Sequence, residues 1–458
     1  MRAIVIAGTT SGVGKTTVAT GLIGALHQCG FKVQPFKTGP DYIDPTYHTW
    51  VCGEPSRNLD TWLLSNNAII ELFTRAMKAK DIAVIEGVMG LYDGRSSMSE
   101  EGTTAELAKL LQAPVLLVMD SRKGARSLAA MAAGYQDFDH SLQLGGVILN
   151  GIGSDDHLKA CRDAIEHYTG IKVVGYLPRR DNLSLPERHL GLIPAVEDPV
   201  GEEFLTRLIT QCEATFNIAK VLHLSEQVVI PCTEPTLFPT MPKPALARIA
   251  VAKDKAFSFY YQDSLDLLEA WGAELIPFSP LQDTKLPQGI SGLYIGGGFP
   301  ELYATELAAN EPIRREIKIA AERGMPIYAE CGGLMYLGMN LRELQGNDYC
   351  MVGALPISSQ IDSPRLSLGY RTVQALGDGP LLNQGGVVRG HEFHWSVLEA
   401  NTHSPNAYCV IDKGRRIEGF HRRNLLASYI HLHMGSLPSM AMRFIDNCQR
   451  FQKDQEGL

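Results

Sequence analysis

Three absences bound what this chain can be. Its nine cysteines are irregularly spaced and include no CxxC pair, which argues against both a structural zinc site and a disulfide framework. Cysteines such as Cys161 and Cys448 then read as small buried apolar residues. No apolar run is long enough to span a bilayer. The opening MRAIVIAGTT passes straight into a strand and a glycine loop, without the regions of a signal peptide. A cytoplasmic location and no membrane partner are therefore expected. There is no basic stripe either: the formal net charge is -8, with Lys and Arg scattered along the chain. Nucleic acid is not an expected partner.

What is present is the composition of an ordinary folded protein, 45% apolar and 20% charged, with no room for long disorder. At 458 residues the chain exceeds what one hydrophobic core usually serves, so two domains are expected. From Met1 to about Gly175, short β-branched runs (RAIVIAG, IAVIEGVMG, VLLVMD, GGVILNG, KVVGYLP) alternate with helical stretches such as TVATGLIGALHQCG. That alternation predicts an α/β fold with a mostly parallel sheet and flanking helices. Prolines then crowd PCTEPTLFPTMPKPALA, which reads as a linker because so many prolines extend neither a helix nor a central strand. After it ARIAVAKD, AELIPFSP, GLYIGGG and MPIYAECGG restart the alternation and predict a second α/β domain. The expected division is 1–230, a linker at 231–246, and 247–458.

The segment Gly8-Thr9-Thr10-Ser11-Gly12-Val13-Gly14-Lys15-Thr16-Thr17 lies between an apolar strand and an amphipathic helix. Phosphate binding needs close backbone N–H groups, a helix N-terminus and a lysine, and all three occur here. Gly12, Gly14, Lys15, Thr16 and Thr17 are the expected nucleotide contacts. Five residues rather than four separate Gly8 from Gly14, a variant that resembles the loop of dethiobiotin synthetase and its relatives. Thr16 is the candidate hydroxyl ligand for Mg²⁺, and Lys15 the phosphate clamp. Glu86 ends the run IAVIE, where a ligand for phosphate-bound metal belongs. Asp93 follows in GLYDG, as a candidate substrate contact or a plain surface carboxylate. Asp41 and Asp44 lie in PFKTGPDYIDPTYH just after Lys37. They are expected in a rigid loop, where they could hold a second metal or orient a substrate, although turn chemistry also favours aspartate there. Lys37 joins the nucleotide-site candidates, and Asn150, at the end of GGVILN, could read adenine.

In the second domain Met325-Pro326-Ile327-Tyr328-Ala329-Glu330-Cys331-Gly332-Gly333 reads as a strand entering a small-residue turn with the cysteine at its tip. Such an elbow exposes the thiol at a helix N-terminus, where the dipole favours thiolate. The N–H of Gly332 is one candidate for an oxyanion hole, and the run Gly296-Gly297-Gly298, centred on Gly297, offers a second. The base is expected in Ser428-Tyr429-Ile430-His431-Leu432-His433. His431 and His433 would share one face of an extended strand, so either could meet Cys331.

Together GTTSGVGKTT, PFKTGPDYIDPTYH, SRNLDTWL, IEGVMGLYDG, ECGGLMYL, RGHEFHWS and ASYIHLHM, in order and nearly end to end, resemble the cobyrinic acid a,c-diamide synthase family. The resemblance implies a P-loop NTPase-like, dethiobiotin-synthetase-like domain joined to a class I glutamine amidotransferase-like domain. It implies that ammonia from L-glutamine amidates the a and c carboxylates of a corrin precursor, cobyrinic or hydrogenobyrinic acid. ATP and Mg²⁺ drive the reaction through an acyl phosphate, in cobalamin biosynthesis. Carried onto this sequence, Cys331 is the nucleophile and His431 or His433 its base. His431 aligns with the histidine of the His-Pro-Glu run of other class I amidotransferases, whose Pro and Glu positions hold Leu432 and His433 here. No triad acid is assigned, and Glu392 and His394 match a family motif without a role. Alternatives are a nickel sirohydrochlorin a,c-diamide synthase, a cobyric acid synthase, against which PDYIDPTYH argues, and a ParA-like partner-binding ATPase, in which the glutaminase half has no place.

Overall fold

The computed structural model describes residues 1–179, 187–188, 191–192, 202–226, 228, 230, 234–361, 366–399, 406–412 and 414–457. The chain forms two compact units, Met1–Glu234 and Pro235–Leu458.

The first unit is built on seven parallel strands. They are β1 (Ala3–Gly8), β2 (Val33–Thr38), β3 (Arg57–Leu59), β4 (Ile82–Glu86), β5 (Val115–Asp120), β6 (Leu144–Ile152) and β7 (Val173–Pro178). Their order is β3-β2-β4-β1-β5-β6-β7. Every residue of β1, β2 and β4 is buried, as a parallel sheet covered on both faces requires. The chain crosses over between β1 and β2 through helix α1 (Lys15–Gln28), which packs Gly21 and Gly24 against the helix Glu202–Thr215. A Cβ on Gly24 would stand 2.5 Å from Ile209 Cγ1, so two helices approach closely where those glycines lie. The carboxyl ends of β1, β2 and β4 converge on one edge, the position at which open α/β sheets bind ligands.

The strands β2 and β3 were not among those the sequence pattern picked out, because VQPFKT contains a proline and RNL is short. The expected rigid loop around Asp41 and Asp44 is in part a helix, α2 (Asp44–Cys52). Pro45 stands in its first turn, where a missing N–H costs nothing, and Gly53 ends it at φ 71°.

The second unit centres on a six-stranded sheet. Its order is Ala273–Phe278, Ala247–Ala252, Gly292–Ile295, Ile327–Glu330, Leu425–Ser428, Phe420–Arg422, parallel except for the last pair. Two further sheets follow from Asn340 onward. One of four strands includes Ser358–Ile361, and one of five includes Ser367–Ala375, Val387–His394 and Ile430–Leu432. Apart from Ser367–Ala375 and Val387–His394 their strands are only three or four residues long, too short for an alternation period to mark them in the sequence. Part of the proline-rich segment packs onto this unit: Leu237 and Phe238 are buried, and Trp271 Nε1 donates to the Leu237 carbonyl at 2.9 Å.

Candidate active sites in the two units

In the first unit β1 ends at Gly8 and α1 begins at Lys15, with Gly12 and Gly14 at φ 76° and 91°. These left-handed positions favour glycine and turn the loop so that it feeds the helix N-terminus. No side chain caps the first turn of α1, which leaves its N–H groups to an anion. Lys15 folds back over the loop, Nζ to the Thr10 carbonyl at 3.1 Å. Burial first, and the charge of Lys37 second, bring its pKa down to about 8. Asn150 Nδ2 donates to the Val13 carbonyl at 2.9 Å and lies against Gly14. The residue expected to read adenine thus braces the loop.

Behind the loop lies a buried charge cluster. Thr16 Oγ1 is 2.7 Å from Glu86 Oε1 and 3.2 Å from Asp44 Oδ2. Lys37 Nζ sits among the carboxylates, 2.6 Å from Asp44, 2.9 Å from Glu86 and 3.8 Å from Asp41. Burial of Lys37 lowers its pKa, but Asp44 and Glu86 outweigh this and raise it. Glu86 is held far below the usual carboxylate range: burial opposes this, and the Lys37 charge and His48 overcome it. Asp44 goes the other way, pushed up by burial and by the charge of Asp41. So Thr16, Asp44, Glu86 and Lys37 meet in one place. Asp93 does not join them; its Oδ2 accepts from the Gly90 N–H at 3.1 Å and closes its own loop. Asp41 Oδ1 accepts from the Ile43 and Asp44 N–H groups at 2.8 and 3.2 Å, an Asx turn that leads into α2.

Sequence reasoning missed His48. Its Nε2 is 2.8 Å from Glu86 Oε2, both side chains fully buried. Asp44 and His48 are four apart on α2 and face the same way, a relation that exists only once the segment read as a loop is a helix.

The oxygen-only donor set of Thr16, Glu86 and Asp44 suits Mg²⁺, which takes one or two protein ligands and completes its shell with water and phosphate. Among the described residues no group of three or more His, Cys, Asp or Glu is arranged to hold a metal alone.

In the second unit Cys331 occupies φ 47°, ψ -101°, between the strand Ile327–Glu330 and the helix Gly332–Leu337. A non-glycine residue persists in such a conformation only where its surroundings impose it; here the Cys331 N–H donates to the Ser428 carbonyl at 2.7 Å. The thiol is 3.7 Å from the Phe393 carbonyl. Burial, then the charge of Glu301, push it well above its ordinary pKa, against the pull of the Gly332 N–H. Free cysteine here is held as the thiol.

The glycine run packs against the elbow. A Cβ on Gly332 would stand 3.2 Å from Gly298 N, and one on Gly297 would stand 2.5 Å from His431 Cε1. Gly296 donates its N–H to Tyr260 Oη at 2.8 Å, which removes that N–H from the candidates for a second oxyanion donor.

The two histidines separate. The strand Ile430–Leu432 ends before His433, so the two-residue period that would put both on one face stops there. His433 opens a 3₁₀ turn, its Nδ1 accepts from the Gly435 N–H at 3.0 Å, and its ring lies 4.8 Å from that of Tyr261. Burial pushes its pKa down to about 3. His431 lies beside Gly297, and its Nδ1 is 3.5 Å from Glu330 Oε2. The RGHEFHWS segment also resolves. Glu392 is gripped by Arg371 at 2.7 Å, Arg416 at 2.6 Å and His394 at 3.0 Å. His394 stacks on Tyr429, ring centres 3.8 Å apart, so these residues fix the strand whose Phe393 carbonyl meets the thiol.

A phosphate loop in one unit and a cysteine elbow beside a histidine in the other define a nucleotide-binding unit fused to a glutamine amidotransferase. Residues 4–193 match the model of the CobQ/CobB/MinD/ParA nucleotide binding domain, and residues 248–438 that of the CobB/CobQ-like glutamine amidotransferase domain. The chain is 47% identical over 460 residues to the cobyrinate a,c-diamide synthase of Dehalococcoides mccartyi strain CBDB1, with 98% of each covered. It is 42% identical to that of Salmonella typhimurium, again with 98% of each covered. Against the hydrogenobyrinate a,c-diamide synthase of Streptomyces coelicolor the identity is 41%, with 97% of each covered. The chain belongs to the cobyrinate a,c-diamide synthase family. It is a ligase, and among its described residues no helix is long and apolar enough to cross a membrane.

Proposed function

We propose that this protein uses ATP to amidate the a and c carboxylates of cobyrinic acid or hydrogenobyrinic acid with ammonia drawn from L-glutamine, on the route to cobalamin. The observation that carries the proposal is Cys331 on its constrained elbow, with His431 against Gly297 and 3.5 Å from Glu330, the residue before Cys331. A nucleotide-binding partner protein of the ParA kind has no use for it.

A carboxylate is a poor electrophile, so its oxygen attacks the γ-phosphorus of ATP and ADP leaves, giving an acyl phosphate. Lys15, the loop N–H groups and the N-terminus of α1 hold the negative charge that moves onto the leaving oxygens. Thr16 and Glu86, with Asp44 beside them, would hold Mg²⁺ on the phosphates, where it supplies charge neutralisation. Lys37 and His48 keep Glu86 and Asp44 in place. Asp41 and Asp93, on loops flanking this site, are the proposed acceptor contacts. In the other unit His431 takes the thiol proton, and Cys331 attacks the glutamine amide carbon. The Gly332 N–H and one from the Gly296-Gly297-Gly298 run hold the oxyanion. Ammonia leaves, and water attacks the thioester with His431 assisting. Ammonia then displaces phosphate from the acyl phosphate.

The test is to incubate the protein with ATP, Mg²⁺ and glutamine against cobyrinic acid, hydrogenobyrinic acid and nickel sirohydrochlorin separately, following mass. Two amidations of a corrin substrate support the proposal; conversion of nickel sirohydrochlorin alone would overturn its choice of acceptor.

A further inference from the structure

The residue just before the nucleophile is a glutamate whose side chain is 1% exposed. A buried carboxylate is costly unless several donors satisfy it. Here Glu330 Oε1 accepts from the Leu432 N–H at 2.9 Å and from Tyr328 Oη, and Oε2 accepts from Tyr294 Oη at 3.1 Å. Burial, reinforced by this carboxylate, keeps both phenols protonated as donors. One donor is the backbone of the residue that follows His431, so the carboxylate is fixed to the strand that carries the base.

His431 Nδ1 stands 3.5 Å from Glu330 Oε2, and both side chains are at most 2% exposed. No hydrogen bond to Glu330 forms at that separation; catalytic contacts are commonly long before substrate arrives and tighten in the complex. The imidazole Cε1 and Nε2 lie 2.5 and 3.4 Å from where a Cβ on Gly297 would stand, so the ring occupies the space that Gly297 leaves open beside the elbow. With Nδ1–H turned to the carboxylate, Nε2 carries the lone pair.

We infer that Glu330 is the positioning residue of the glutaminase centre: its carboxylate accepts from Nδ1–H of His431, fixes the tautomer with a basic Nε2, and stabilises the imidazolium formed when Cys331 gives up its proton. The inference rests on the glutaminase reading above. It places the acid on the nucleophile's own strand, one residue before Cys331.

His391 lies directly opposite His431 across the ladder, and burial and the His431 charge bring it down to about 3; the Tyr294 and Tyr328 phenols sit on the Glu330 carboxylate, and Cys331 follows it in the chain. The readout beside kcat is the acid limb of glutaminase kcat/KM. Glu330→Gln keeps an oxygen for Leu432 N–H and Tyr328 but removes the charge. In the full chain the glutaminase kcat should fall on the order of 100-fold with KM for glutamine within about twofold. The acid limb should move to lower pH, because losing an adjacent negative charge lowers an imidazole pKa. Ammonia-dependent amidation should be unchanged, which also shows that the variant folds. A folded variant with parental kcat and acid limb would overturn the inference. A second measurement needs no variant at Glu330: ¹⁵N-histidine NMR of the parent chain, with His431 assigned by its loss in His431→Asn. Neutral His431 should be the Nδ1–H tautomer; the Nε2–H tautomer would overturn the inference even if Glu330→Gln did not fold. A parent chain without glutaminase turnover would sink the functional reading instead, and the tautomer would still decide the contact.

Discussion

Gly297→Ala tests the placement of the base at the scale of one methyl group. Gly297 is not among the glycines at positive φ, so alanine brings no backbone strain there. The added carbon would lie 2.5 Å from His431 Cε1 and 3.3 Å from Phe259 Cβ. Ordinary carbon contacts are near 3.5–4.0 Å, so the imidazole must move by roughly 1 Å. It cannot yield freely, because His431 is 1% exposed and its Nδ1 side abuts Glu330. Displacing a catalytic group by about 1 Å costs on the order of 100-fold, which is the fall expected in glutaminase kcat. Overpacking should also remove about 1–3 kcal/mol of stability, read as a lower melting temperature. The assay is glutamate release from glutamine beside ammonia-driven amidation by the same preparation, which should keep its parental rate. Parental glutamine turnover in a folded Gly297→Ala protein would refute the position assigned to His431.

Cys331→Ala should abolish amidation from glutamine and leave ammonia-driven amidation intact; loss of both would break the division of labour between the units. Nucleotide affinity should weaken as pH rises through about 8, where free Lys15 loses its proton. Calorimetric titration from pH 7 to 9 should show this inflection in the parent and not in Lys15→Arg. Lys37→Met would leave Asp44 and Glu86 buried without their cation. It should cost about 3–5 kcal/mol, measured by denaturant unfolding, and an unchanged midpoint would contradict the cluster's role.

The sequence made the sheet strands of both units legible wherever an apolar run was long enough to be buried on both faces, as in β1, β4 and β5. It could not show the strands after Asn340, most of them three or four residues long and too short to display a period. Lys15, Thr16 and Cys331 were legible because local spacing itself makes a phosphate loop or an elbow. Residues that act through tertiary neighbours were not. His48 reaches Glu86 across 38 positions, Glu330 reaches His431 across 101, and no period in the sequence encodes either contact. Which of His431 and His433 lies against Gly297 and Glu330 depends on where a three-residue strand stops, below the resolution of any pattern of alternation.

The central claim is that nitrogen released at Cys331 ends in an amide made at the phosphate loop. Glutamine labelled with ¹⁵N at its side-chain amide, supplied with ATP, Mg²⁺ and cobyrinic acid to the intact protein, tests it directly. The account predicts a diamide carrying two labelled nitrogens, none with Cys331→Ala, and none with Lys15→Ala although that variant still hydrolyses glutamine. Glutamine hydrolysis and ATP consumption by the intact protein that leave the acceptor unlabelled would contradict it.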